Sequence, residues 1–297
     1  MASTVLPSAR QSTAAASYFA LTKPRITWLI LMTTGVGYYF GARGVSIAWL
    51  SLFHTILGTG LIASGTAALN QVWEREADAK MRRTQARPLP AGLLSARSAV
   101  IFAIVISALG FFELTFGVNF LAGAIGMFTL LSYLFVYTPL KSRSFHSTTI
   151  GAVPGAMPPL IGYAAAHGTI TAEAWIIFLI IFLWQFPHFY AIAWMYREDY
   201  QRAGIRMLPV IDGDGEATVW HILLFAGVLI PVSLLPKFWM MTGNLYVFGA
   251  LVFGSMFFYS SVRAALSRTR QSARQVLLAS VLYLPALLVL MMLDRPA

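Results

Sequence analysis

Asn70, Glu74 and Asp78 stand four residues apart. At about 100° per residue, each step carries a helix only about 40° past a full revolution, so the three side chains share one face. Amide and carboxylate oxygens in such a row suit a hard cation such as Mg²⁺, which takes carboxylate, water and phosphate oxygens. Arg83, Thr84 and Arg87 follow with no acid among them, a set of donors suited to phosphate oxygens. The bland alternative is an exposed helix end on which Glu74 and Asp78 pair with Arg75, Lys80 and Arg82, as surface charges routinely do. Asn70 weighs against it, because it lies deeper in an apolar run, where an idle amide is costly. Pro88 and Pro90 then stop the helix and stiffen the loop.

Two other places carry chemistry. Tyr196-Arg197-Glu198-Asp199 follows a long apolar run and offers a second pair of acids. His188 follows Pro187 inside that run, where a proline frees backbone carbonyls and can shape a cavity. A helix carbonyl would equally satisfy its imidazole, and His54 and His221 read as packing or interface residues.

These groups need a scaffold, and the apolar pattern supplies one. Hydrophobic residues make up 58% of the 297 and charged residues 11%, with a mean hydropathy of +0.70, more apolar surface than a soluble domain could hide from water. Apolar stretches of about 20 residues, the length that crosses a hydrocarbon core, fall near 26–42, 47–70, 98–116, 118–138, 149–166, 172–194, 218–236, 243–262 and 275–293. The fold class is therefore all-α, a polytopic membrane bundle of about nine transmembrane helices. Residues 1–22 are expected to form a mobile cytoplasmic tail, since they lack the long apolar core and cleavage site of a leader, and residues 23–297 a single transmembrane domain.

All basic residues except Arg43, Lys237 and Arg295 fall on the side of the N-terminus and the even-numbered connections. That side is thus cytoplasmic, with the C-terminus opposite. The acids need not follow this rule, yet all except Glu113, Glu173 and Asp294 lie on the same side, confined to the connections after the second and sixth spans. A net charge of +10 raises nucleic acid as a partner, but no basic soluble face lies between the apolar runs. The absence of cysteine excludes disulfides, thiolate metal sites and thioester chemistry, so any metal is held by oxygen or imidazole.

The segment Asn70 to Leu89, read as Asn-x3-Glu-x3-Asp-x2-Met-x-Arg-Thr-x2-Arg-Pro-Leu, resembles the first motif of the UbiA superfamily of intramembrane prenyltransferases. Further stretches resemble its haem-farnesylating branch. They are Tyr137-Thr138-Pro-Leu-Lys141, the Gly151 to Gly162 segment, Trp184-Gln185-Phe-Pro187-His188, and Asp199 to Pro209. The likeness runs from the Thr22-Lys23-Pro24-Arg25 turn over nearly the whole chain and fades in the last two helices. Glu74 stands where aspartate is more usual, and the second acidic motif is reduced to Glu198 and Asp199.

This resemblance implies a UbiA-like bundle in a bacterial inner membrane that moves a farnesyl group from farnesyl diphosphate to a vinyl carbon of haem B. It implies Mg²⁺ held by Asn70, Glu74, Asp78 and Asp199, with Glu198 beside them. Phosphate contact would come from Arg83, Arg87 and Lys141, hydroxyls from Tyr137 and Thr138, and a haem contact from His188. Membrane lipid surrounds such a protein, and its product would pass to haem-copper oxidase assembly or to a haem A synthase. Two rivals remain at this stage: a related enzyme prenylating a quinone precursor, and a transporter, whose polar groups usually lie near the midplane rather than at one mouth.

Overall fold

The computed structural model describes residues 13–296, and within them the chain is helical, with no strand. In chain order the helices are α1 (Ala14–Leu21), α2 (Pro24–Gly41), α3 (Trp49–Trp73), α4 (Arg75–Lys80), α5 (Ala96–Gly117) and α6 (Phe120–Leu131). A π-helical segment, Ser132–Tyr137, leads from α6 into α7 (Thr138–Leu140). There follow α8 (Ser147–Ala156), α9 (Pro158–His167), α10 (Ala172–Met195), α11 (Arg197–Arg202) and α12 (Leu208–Ile211). The last four are α13 (Glu216–Val232), α14 (Leu235–Phe238), α15 (Asn244–Ser267) and α16 (Arg270–Leu293).

Seven helical stretches among the described residues are long and apolar enough to cross a membrane: α3, α5, α6 with its continuation through α7, α10, α13 with α14, α15 and α16. The two other expected spans are helical but not of that kind. One is α2, whose buried face is lined with Thr33, Thr34, Gly37 and Gly41. The other breaks at Met157, where Pro158 and Pro159 open α9 after α8 has ended. Proline at the first turn of a helix is tolerated there and forbids continuation from the helix before it. The tight turn between the third and fourth spans is present, with the Asn119 side chain accepting from the Ala122 amide at 2.9 Å to cap α6, a standard way to satisfy a helix's first donors.

The expected tail differs in its second half. Residues 14–21 form α1, capped by Thr13, and Leu21 is fully buried against Ala68, Leu89, Ala99 and Ala103. The Gln71 amide donates to the Leu21 carbonyl at 2.8 Å. Residues 1–12 lie outside the described residues.

Packing departs from the soluble pattern. Large apolar side chains such as Ile101, Phe112, Phe116, Phe128, Leu224 and Phe248 face outwards, while threonines and serines such as Thr34, Thr55, Thr59 and Ser261 share the apolar interior. Lipid rewards this arrangement, because helix association there relies on close packing of small and hydroxylated residues. Along α2 and α9 the backbones meet: a β-carbon on Gly37 would strike Pro159, and one on Gly162 would strike the Thr34 carbonyl. One core joins α2, α8, α9, α10, α13, α15 and α16, a second joins α2, α3, α5, α6 and α9, and the polar constellation lies at one end of both.

Candidate active site

Where α3 ends, the hydrogen-bond ladder continues through Glu74, whose amide bonds to the Asn70 carbonyl at 2.9 Å while its own carbonyl accepts from the Asp78 amide at 2.7 Å. The three predicted oxygen donors therefore keep their four-residue stacking into α4. Asn70 and Asp78 are each 1% exposed. Asn70 Oδ1 accepts from Lys23 Nζ at 3.3 Å, and its Nδ2 donates to Thr138 Oγ1 at 3.3 Å. Glu74 pairs with Lys141 at 2.7 Å, and Asp78 Oδ2 with Arg87 at 2.7 Å. Each predicted acid of the first motif thus faces a base, Glu74 one from beyond the motif and Asp78 one from the motif's own end.

The π-helical segment places the other half of this cluster. Its wider turn leaves Thr138 Oγ1 bonded to the Tyr133 carbonyl at 2.8 Å and sets Tyr133 and Tyr137 edge to face, 4.8 Å apart. Lys141 Nζ lies 4.4 Å from the Tyr137 ring centre, and cation and ring face attract. Such π segments recur at functional sites. Burial disfavours the charged Lys141, but Tyr137 and the Glu74 carboxylate outweigh it and hold its pKa well above the ordinary value. Lys23 goes the other way, pushed down to about 7 by burial and by the charges of Arg87 and Lys141, against the pull of Glu74 and Asp78. An arriving anion reverses that balance and favours the protonated amine.

Lys23 and Tyr133 were not singled out as site residues in the sequence. A signal for Lys23 existed in its place before Pro24 in the Thr22–Arg25 turn, and the structure adds a left-handed backbone there, φ 49°, a conformation that costs a residue with a β-carbon and tends to persist at functional sites. Tyr133 carries no local signal, because its position depends on the π turn.

Asp199 and Arg83 form a second cluster. Asp199, 7% exposed, accepts from the backbone amides of Arg82 and Arg83 at 3.3 and 3.4 Å and is ion-paired with Arg202. Both of its oxygens are therefore committed to the loop that follows α4. Arg83 turns away from Lys141, stacking over Tyr196 at 5.1 Å and donating to the Tyr200 hydroxyl at 3.3 Å. Glu198 is exposed. Met81, Ala193, Ile205 and Met207 pack beneath this cluster, and the Arg206 amide donates to the Lys141 carbonyl at 2.8 Å, tying the two clusters together. Arg82, Arg83, Arg197, Arg202, Arg268 and Arg270 wall a cavity of about 580 Å³ beside Asp199 and Glu198.

The donor set of the first cluster fits a hard divalent cation. Its oxygens come from one amide and two carboxylates, and Asp78 Oδ1 is buried without a hydrogen-bond partner, an uncompensated acceptor that a cation would satisfy. Asp199 fits less well in this arrangement, since a metal would have to displace two amides and Arg202. Among the described residues no three His, Asp or Glu side chains converge on one point.

His188 lies apart from both clusters, stacked on Trp184 at 4.6 Å. Its Nδ1 is 2.8 Å from Ser280 Oγ. That hydroxyl donates its only proton to the Leu277 carbonyl at 2.6 Å, so Nδ1 carries the hydrogen and Nε2 keeps a lone pair.

A helical bundle with an apolar interior and a mouth of paired acids and bases defines a membrane enzyme for a substrate that is part polyanion and part hydrocarbon. The chain belongs to the UbiA prenyltransferase family, whose model matches residues 30–285. It is 60% identical to a protoheme IX farnesyltransferase of Solibacter usitatus, over 94% of this chain and 98% of that one. To a protein of the same name from Koribacter versatilis it is 46% identical, over 94% and 93%. Among solved structures it shares its fold with a digeranylgeranylglyceryl phosphate synthase at a TM-score of 0.79 and 17% identity, covering 94% and 98% of the two chains. It shares it also with a UbiA homologue from Archaeoglobus fulgidus bound to GPP and Mg²⁺, at 0.63 and 15%, covering 93% and 99%.

Proposed function

We propose that this chain transfers the farnesyl group of farnesyl diphosphate to a vinyl carbon of haem B. Water adds to the neighbouring carbon, so that haem O and pyrophosphate are the products. The observation that carries this reading is the near-full-length likeness to relatives named for farnesylating protoheme, joined to a polar mouth of the chemistry the donor requires. Ionising an allylic diphosphate separates pyrophosphate from a carbocation, and preorganised cations are needed where the leaving charge develops.

In this reading Lys23, Arg87 and Lys141 take phosphate oxygens, exchanging their present partners Asn70, Asp78 and Glu74 for the substrate. Those three oxygen donors then face Mg²⁺, which when bound neutralises the diphosphate and polarises its bridging oxygen. Thr138 and Asn70 position one another, and the Tyr133 and Tyr137 rings shield the allylic carbon from water and stabilise positive charge over their faces. Asp199 fixes the backbone of Arg82 and Arg83 and so shapes the loop that ends in Arg87. The farnesyl tail lies between helices, where burying a long hydrocarbon supplies affinity. His188 Nε2 is oriented to meet the haem iron, its tautomer set by Ser280.

The crowding of basic residues into the even-numbered connections supports a cytoplasmic N-terminus in a bacterial inner membrane. The product is lipophilic and leaves for haem-copper oxidase assembly or a haem A synthase. Purified protein supplied with haem B, farnesyl diphosphate and Mg²⁺ is expected to yield a haem heavier by farnesyl plus hydroxyl, the remaining proton of water leaving with pyrophosphate. Absence of that product, with prenylation of a quinone precursor in its place, would remove the haem assignment.

A further inference from the structure

The arginine-walled cavity is left over once the diphosphate has been given Lys23, Arg87 and Lys141. Its six guanidinium groups come from three separate places: the loop after α4, helix α11, and the hairpin between α15 and α16. Of the six, Arg202 alone has an ion-pair partner among the described residues. Arg83 and Arg197 lie over the rings of Tyr196 and Trp194, 5.1 and 5.7 Å from their centres, and Arg268 keeps a left-handed backbone, φ 48°. Guanidinium groups gathered in this way repel one another, and an anion with several planar oxygens relieves the repulsion through paired hydrogen bonds. A volume of about 580 Å³ is that of a small-molecule site.

We propose that this cavity grips the two propionate carboxylates of the porphyrin acceptor, an inference that rests on the haem assignment above. The propionates are the charged substituents of haem B, and they leave the ring on the edge opposite the vinyl groups. Holding them at the mouth therefore turns the vinyl edge into the bundle. Helix α10 supports that pose. Met195, in the cavity wall, follows His188 by seven residues, two helical turns, so both lie on one face about 10 Å apart along the axis. The diphosphate cluster shares a wall with the cavity, because Asp199 bonds the amides of Arg82 and Arg83.

The test uses haem-free full-length protein in phosphatidylcholine nanodiscs, titrated with haem B or with its dimethyl ester and followed by the Soret band. The wild type is expected to bind haem B roughly tenfold more tightly than the ester, the worth of a charge-assisted contact. The Arg82→Ala/Arg270→Ala variant is expected to bind both alike with farnesyl diphosphate affinity unchanged, and Arg82→Lys/Arg270→Lys to recover part of the difference. A single Arg270→Ala change, expected to lose part of the preference, serves if the double variant does not fold.

Equal affinity of the wild type for haem B and the ester overturns the inference while leaving haem farnesylation intact. Loss of farnesyl diphosphate binding in the double variant reassigns the cavity to the diphosphate. Displacement of haem B from the wild type by phosphatidylglycerol, but not from the double variant, reassigns it to a lipid headgroup. A wild type that shows no Soret change and makes no farnesylated haem overturns the haem assignment itself.

Discussion

Asp78 and Asp199 are both buried carboxylates at the same end of the bundle, yet their surroundings give them different work. Asp78 has one oxygen on Arg87 and the other without a partner, whereas Asp199 spends both oxygens on the backbone of Arg82 and Arg83 and on Arg202. Asp78→Asn is accordingly expected to lower diphosphate release by about 10²-fold or more and to raise the Mg²⁺ concentration giving half-maximal rate. Asp199→Asn is expected to lower the melting temperature and the rate while leaving that Mg²⁺ requirement unmoved; a shifted requirement would make Asp199 a metal ligand after all. Glu74→Gln frees Lys141 from its partner, so pyrophosphate inhibition is expected to tighten even as turnover slows. The row from Asn70 to Asp78 was legible in the sequence because a helix converts spacing directly into shared direction. The partners of Lys23 and Arg83 were not, since their bonds to Asn70 and Tyr200 reach across 47 and 117 residues of chain that no local pattern encodes.

At the scale of elements, the apolar runs located the long helices because lipid imposes both their length and their composition. The two spans that fit that rule least pack closely on each other. Helices α2 and α9 trade hydrophobicity for close approach, and Gly37 and Gly162 leave no room for a methyl group against facing backbone. Gly162→Ala is expected to cost about 1–3 kcal/mol through overpacking, read as a lower melting temperature in detergent. The π turn at Ser132–Tyr137 was illegible, since it needs no special residue, only one extra in the turn. Deleting Phe135, a lipid-facing residue of that turn, is expected to restore an α-helical turn, change the spacing of Tyr133 from Tyr137 and Lys141, and lower turnover with helicity by circular dichroism retained.

For the molecule as a whole, the one-sidedness of charge has become two facts. The bases crowd the connections of one side, on which the proposed orientation rests, and the acids among them lie in the two clusters and their flanks. Because the sequence has no cysteine, single thiols introduced at Arg143 or Ser267 and at Gly44 or Gly168 each report their own side. The first pair is expected to react with an impermeant maleimide only in inverted vesicles and the second only in intact spheroplasts. The pairing of every buried acid at the mouth has a consequence for biogenesis. Glu74 with Lys141, Asp78 with Arg87 and Asp199 with Arg202 leave none of these acids without a basic partner before any substrate arrives. A zinc finger must load its ion in order to fold. This bundle can be inserted, folded and stockpiled empty, ready for substrates delivered later, and chelation is expected to stop turnover while leaving its melting temperature where it was.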